Sequence, residues 1–422
     1  MNKCLKIVGC FLLLDFFLLT SLWGQINVAH QKGIVSGEVW KDTDDNVINA
    51  HGGGILFNNG KYYWFGEHRP SSGFTTQVGV TCYSSTDLRN WKYEGVALAV
   101  SDEAGSDIEK GCIIERPKVI YNQKTGKYVM WFHLELKGRG YGPSRAGVAV
   151  SDTPAGPYRF IRSGRVNPGV YPLNMTQEEK KLTWNPKDYE WWTPEWREAV
   201  NKGMFVKRDL EGDGQMSRDM TLFVDDDGTP WMSWGNGTCF LVKLKPNMTE
   251  LDGNIEILKM PKFVEGPWIH KRENLYYLTY ASMGKGREII SYATAPSMDG
   301  PWTYRGVLTG MAENSFTIHP GIIEFKGQNY LFYHNAILTI DGKSGATGRR
   351  SVCVDYLYYL PDGRMAYVEQ TKEGITVKPK AAAEVAEIVN PYTDEKEVVG
   401  EKEVKVVDVQ EKNEICLLFT SP

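Results

Sequence analysis

The sequence predicts an all-β protein built as a five-bladed β-propeller, and three observations carry that expectation. Hairpins of one form recur, tight-turn residues punctuate them, and aromatic residues are abundant: 13 Trp and 22 Tyr beside 43 Gly in 422 residues. "GILFNNGKYYWFG" (54–66) reads as a strand, an Asn-Gly turn and a second strand. "KVIYNQKTGKYVMWFH" (118–133), "MTLFVDDDGTPWMSWG" (220–235), "PWIHKRENLYYLTYAS" (267–282) and "PGIIEFKGQNYLFYHN" (320–335) repeat the form. Each is apolar, turns at Asn, Asp or Gly, then sets aromatics at alternate positions, which is the hairpin signature.

A second unit follows several hairpins: "YSSTDLRNWKYEG" (83–95), "AVSDTPAGPYRF" (149–160) and "YATAPSMDGPWTYRG" (292–306). Two hairpins in succession make a four-stranded sheet, and irregularly spaced repeats of it make propeller blades. A sandwich of repeated hairpins is the competing architecture. No alternation of helix and strand points to an α/β fold.

Residues 1–24 read as a signal peptide. Lys3 and Lys6 precede the apolar run "IVGCFLLLDFFLLTSLW", which Asp15 interrupts. The propeller is expected over 35–377. A long insertion, about 161–216, separates blades 2 and 3. Its Trp184, Tyr189, Trp191, Trp192 and Trp196 either pack on the propeller or form a sugar-stacking rim. Residues 378–422 read as a charged tail or the remnant of an attached module. A net charge of −4 without a basic run argues against nucleic acid and a membrane surface as partners. The seven Cys form no CxxC pair and two lie in the leader, which argues against a disulfide framework or a zinc site. The mature chain is expected to be a secreted or periplasmic monomer, without stable membrane insertion.

The chemistry is sought where inner strands begin, because a propeller brings those ends to its axis. Glu115, Asp219, Glu265 and His319 stand at matching places in four repeats, with His51 near the first. A strand-end salt bridge explains any one of them alone. The first repeat carries Gly52-Gly53-Gly54, and its hairpin ends at Glu67, His68 and Arg69. That loop is either a tight turn beside a buried hairpin or a backbone approached closely by a bound molecule.

With "EGPWIHKRENLYYL" (265–278), "RDMTLFVDDDG" (218–228) and "HPGIIEFKGQNYLFYHN" (319–335), residues 35–375 resemble the five-bladed propeller enzymes of glycoside hydrolase family 43. The resemblance implies that Glu265 is the general acid and that Asp219 positions it and tunes its acidity. It places His319 near the axis, beside a possible calcium that is structural; no cofactor is required. The family's usual general-base aspartate is missing, because Gly52 stands in its place.

"DTDDNVINAHGGGILFNNGKYYWFGE" (42–67), "IERPKVIYN" (114–122) and "GQMSRDMTLFVDDDG" (214–228) resemble the exo-β-1,3-galactanase branch, which also lacks that aspartate. Glu67 and Glu115 match its sugar-binding glutamates. The fourth and fifth blades, with "RRSVCVDYLYYLPDG" (349–363), look more like the arabinofuranosidase and xylosidase branches.

The expected protein is therefore an exo-acting glycoside hydrolase of plant-type polysaccharide side chains. β-1,3-linked galactose is the preferred terminal sugar; arabinofuranose or xylose is the alternative. An inactive sugar-binding propeller is the alternative of another class, and the presence of both Glu265 and Asp219 argues against it. A phosphorylase would need a phosphate site, and no basic cluster stands out beyond Arg349-Arg350. The expected catalytic residues are Glu265, Asp219 and Glu115, with Glu115 ahead of His51 as the group holding the attacking water. His51, Gly52, Glu67, Arg116, Trp268 and His319 are the expected sugar contacts.

Overall fold

The computed structural model describes residues 34–70, 74–166, 170–181, 193–195, 216–338, 350–393, 397–400 and 403–406. The expected signal peptide and the five aromatics of the insertion lie outside these.

The strands fall into sequential antiparallel sheets, as the repeats predict. Blade 1 is β1 (His51–Asn58), β2 (Lys61–Glu67), β3 (Gly79–Ser85) and β4 (Lys92–Ala99). Blade 2 is β5 (Ile113–Asn122), β6 (Lys127–Glu135), β7 (Arg145–Ser151) and β8 (Arg159–Gly164). The insertion follows, and blade 3 is β9 (Thr221–Val224), β10 (Pro230–Trp234), β11 (Cys239–Leu244) and β12 (Leu251–Leu258). Blade 4 is β13 (Phe263–Arg272), β14 (Leu275–Met283), β15 (Glu288–Ala295) and β16 (Thr303–Thr309). Blade 5 has β17 (Gly321–Phe325), β18 (Gln328–Asn335) and β19 (Ser351–Leu357).

Turn chemistry explains the hairpins. Asn59 and Gly60 have φ of 50° and 78°, and Lys326 and Gly327 have 51° and 78°. Two successive positive values match the right-handed twist of the flanking strands.

Burial explains the ring. Five apolar clusters fill the five seams between neighbouring blades. Phe65 and Cys82 meet Ile114 and Met130 between blades 1 and 2. Trp131 meets Met232 and Trp234 between blades 2 and 3. Leu241 meets Ile269 and Leu278, then Tyr277 meets Leu331 and Cys353. Trp64 and Trp91 meet Tyr330 and Val354 where blade 5 returns to blade 1. Each such side chain contributes about 1.5–3 kcal/mol when removed from water. Cys82, Cys112, Cys239 and Cys353 are buried free thiols.

Segments on either side of the blades reinforce the ring. Gly37 N donates to Val352 O (3.2 Å) and Ser36 Oγ to Val354 O (3.2 Å), so the first described residues edge β19. Past residue 377, Asn390 Nδ2 donates to Val307 O (3.0 Å) and Val385 is buried. Residues 378–393 thus lie on the propeller. Beyond them, β20 (Glu397–Gly400) and β21 (Glu403–Val406) pair as a hairpin.

Candidate active site

Three inner strands begin with one irregularity. Register breaks between His51 and Gly54, between Glu115 and Lys118, and between Glu265 and Trp268. The residue after each leading one is left-handed: φ is 58° at Gly52, 54° at Arg116 and 62° at Gly266. Pro117 and Pro267 come next, at a bulge position that needs no ladder N–H. Asp219, before β9, is left-handed too, with φ of 53°. His51, Glu115 and Glu265 are therefore one equivalent set, and Gly52, Arg116, Asp219 and Gly266 are another. This corrects the expected alignment of Asp219 with Glu115 and Glu265; it stands one residue further along its bulge. A side chain in this backbone region costs about 1–3 kcal/mol, so the surroundings must hold it. Arg116 Nε lies 3.6 Å from Asp219 Oδ1, and each holds the other.

Asp219, Glu265 and His319 meet directly: one polar atom from each lies within 4.8 Å of the others. Glu265 Oε1 is 3.0 Å from His319 Nε2, and Asn236 Nδ2 donates to Glu265 Oε2 (2.9 Å). The Glu265 side chain keeps 16% exposure, so it is held yet reachable. A Cβ on Gly266 would sit 3.0 Å from the His319 ring, so this glycine admits the imidazole. Burial, then Arg116, pushes His319 well below the usual histidine range, which keeps it neutral.

Glu288, at the start of β15, stands behind this group. Its Oε2 accepts from Ile318 N (3.0 Å) and is 3.5 Å from His319 Nε2. Burial, then the Glu265 charge, pushes its carboxyl well above the usual range. Sequence reasoning missed Glu288. Its signal was an acid opening the otherwise uncharged, wholly buried strand EIISYATA.

As a cation cage the trio does not fit calcium. Calcium takes 6–8 oxygen ligands, whereas here an imidazole and a guanidinium occupy the two carboxylates.

Glu67, Arg69 and Glu115 form the neighbouring cluster. Arg69 Nε donates to Glu67 Oε1 (3.0 Å) and Nη2 to Glu115 Oε1 (2.5 Å). His51 Nδ1 is 3.2 Å from Glu67 Oε1. Tyr141 Oη donates to Glu115 Oε1 (3.0 Å), and His133 Nδ1 is 3.1 Å from Glu115 Oε2. Burial alone would raise Glu115, but the bond and charge of His133, with Arg69, carry it well below the usual range. Glu67 goes the other way: burial outweighs Arg69 and pushes it up to about 7. Burial alone would lower Arg69, but the charges of Glu67 and Glu115 raise it. The two shifts are compatible, because Glu67 Oε2 is buried without a donor.

The triple glycine is explained chiefly by the protein's own atoms. A Cβ on Gly53 would lie 1.7 Å from Phe65 O, and one on Gly54 would lie 2.5 Å from Lys118 Cδ. One on Gly52 would lie 3.3 Å from Glu67 Oε1. Lys118 Nζ donates to Gly53 O (2.9 Å) and lies 5.9 Å from the Trp268 ring. Burial, then Arg116, lowers this amine to about 7.

A cavity of about 410 Å³ opens here, lined by His51, Gly52, Arg69, Arg116, Trp268, His319 and Arg350 among others. Glu265 and Asp219 reach it through their contacts with His319 and Arg116. Buried polar atoms without a partner gather around it: Arg69 Nη1, Trp268 Nε1, His319 Nδ1 and Arg350 Nε on the lining, with Glu67 Oε2 beside them. Buried polar groups are ordinarily satisfied, so this cluster of donors and acceptors is poised for a ligand that offers both. Arg350 was visible in sequence only as half of a basic pair; burial, then Arg116 and Arg69, lowers it to about 10.

The model for glycosyl hydrolases family 43 matches residues 180–365. A "Xylosidase/arabinosidase" of Bacteroides ovatus is 30% identical over 275 residues, covering 59% of this chain and 72% of that protein. Among solved structures, a family 43 β-1,3-galactosidase with galactodeoxynojirimycin is 52% identical, covers 79% of this chain and 97% of that one, and has a TM-score of 0.68. An exo-β-1,3-galactanase from Clostridium thermocellum is 29% identical, covers 79% and 65%, and has a TM-score of 0.60. With a relative this similar matched over most of its length and the five-bladed fold in place, the chain belongs to glycosyl hydrolases family 43 and is a glycosidase.

Proposed function

We propose that this glycosidase removes terminal β-1,3-linked galactose from the side chains of plant-type polysaccharides. The observation that carries the reading is the gathering of unsatisfied buried donors and acceptors beside Glu265, which suits the hydroxyls of one terminal sugar. The named activity of the 52% identical neighbour supports galactose as that sugar.

In this reading Glu265 donates a proton to the leaving glycosidic oxygen. Asn236 and His319 hold its two oxygens, and Asp219 stands close by. Glu115 is the acceptor for sugar hydroxyls. Three donors already bind it and keep it ionised, which makes it a weak base. Gly52 leaves the usual base place without a carboxylate.

The Bacteroides ovatus relative favours a second reading, removal of xylose or arabinofuranose. Lys3, Lys6 and the apolar run after them support export to a secreted or periplasmic location. Among the described residues no helix is long and apolar enough to cross a membrane.

The test is the sugar released from arabinogalactan, β-1,3-galactan, arabinan and arabinoxylan. Free galactose from the galactans alone is expected. Release of only xylose or arabinose selects the second reading, and sugar binding without release selects an inactive propeller.

A further inference from the structure

His133 and Glu135 alternate along β6 and so share one face of the sheet. Both are buried, at 1% and 0% exposure. His133 Nδ1 is 3.1 Å from Glu115 Oε2, and Nε2 is 2.9 Å from Glu135 Oε1. A bare ring nitrogen facing either carboxylate would be repelled, so both nitrogens carry hydrogen.

The bonds continue into a closed loop. Ser144 N and Oγ donate to Glu135 (2.7 and 3.2 Å). Arg218 Nε donates to Ser144 Oγ (3.2 Å) and Nη2 to Tyr141 O (2.9 Å). Tyr141 Oη returns to Glu115. Arg218 directly precedes Asp219 in the chain. The loop therefore joins the inner edges of blades 2 and 3 at the positions that carry Glu115 and Asp219.

We propose that His133, held as an imidazolium between Glu115 and Glu135, is a positioning residue for the glycosidase reaction: it fixes Glu115 as an anion and ties it to the backbone that carries Asp219. A buried ionic chain contributes little net stability after desolvation, so its value lies in geometry. The charged and titratable groups facing His133 are Glu115, Glu135 and the Tyr141 ring at 6.1 Å, with Arg69 and Arg218 behind the carboxylates. Burial alone would lower His133, but the two carboxylates raise it to about 9. The proposal rests on Glu115 being a sugar contact.

His133→Gln and Glu135→Gln test it, on whichever glycoside the polysaccharide screen identifies. Misplacing a functional residue by about 1 Å costs about 10²-fold, so kcat/KM should fall by up to that much, with KM carrying most of it. Losing the imidazolium proton should lower kcat/KM by a similar factor as pH rises through about 9. That alkaline limb should vanish in His133→Gln and move down in Glu135→Gln. Imidazole nitrogen NMR of the unaltered protein is independent of the variants' folding and of the substrate's identity. It should show both His133 nitrogens protonated at pH 7. A neutral His133, wild-type kcat/KM in a folded variant, or a loss equal at every pH with the limb unmoved would overturn the proposal. A failed polysaccharide screen would leave the NMR result standing, so the two failures are distinguishable.

Discussion

Glu67 Oε1 lies 3.3 Å from where a Cβ on Gly52 would stand. The place left without an aspartate is thus crowded by a second-strand carboxylate and by Arg116, whose Cδ would be 3.4 Å away. Gly52→Asp should therefore fail to install a general base. The left-handed backbone costs a side chain about 1–2 kcal/mol, and the new charge would face Glu67. A lower Tm and no gain in kcat are expected; a rise in kcat would contradict this account.

Glu265→Gln should lose about 10²–10⁴-fold on unactivated substrate, the usual contribution of proton donation. An activated aryl glycoside needs less help with its leaving group and should keep more activity. Sugar binding, measured by calorimetry, should persist. Full activity on the natural polymer would remove Glu265 from the acid role.

Glu115→Gln should raise KM or weaken transition-state contacts, and azide or formate should not restore turnover. The reason is its three donors, Arg69, Tyr141 and His133. A strong fall in kcat with anion rescue would return Glu115 to the base role.

Glu67 should make stability depend on pH. Its folded value, about 7, stands above the ordinary value of 4.5, so between these values the native state binds more protons than the unfolded chain. The stabilisation is complete below the lower value and is lost as pH rises through the higher one. Glu67→Gln should flatten the fall of Tm across that window. An unchanged slope would show that Glu67 does not titrate there.

Chelation should leave turnover unchanged, because Glu265 is held by His319 and Asn236, and Asp219 by Arg116. Loss of turnover at constant Tm would show a catalytic metal.

The repeats, and hence the propeller, are legible in the chain alone. Hairpin turns such as Asn59-Gly60 are local, and period-two apolar patterning is set residue by residue. The sequence also marked Glu265, Asp219, Glu115 and His319, because strand starts are readable and a propeller sends them to its axis. The tertiary structure alone decided what those groups touch. The one-residue offset of Asp219 comes from a left-handed bulge that no residue type announces, since Arg116 and Asp219 adopt it without being glycine. Glu288, His133 and Glu135 looked like strand residues; the pairing of β5 with β6 set His133 and Glu135 beside Glu115, and the packing of blade 4 against blade 5 set Glu288 beside His319. Gly53 is small mainly because Phe65 O crowds it across the β1–β2 hairpin, and Gly54 because Lys118 crowds it, a contact that exists only once blades 1 and 2 are side by side. Patterning is carried by neighbours in the chain, whereas charge environment is carried by neighbours in space, and most of this site's neighbours come from different blades.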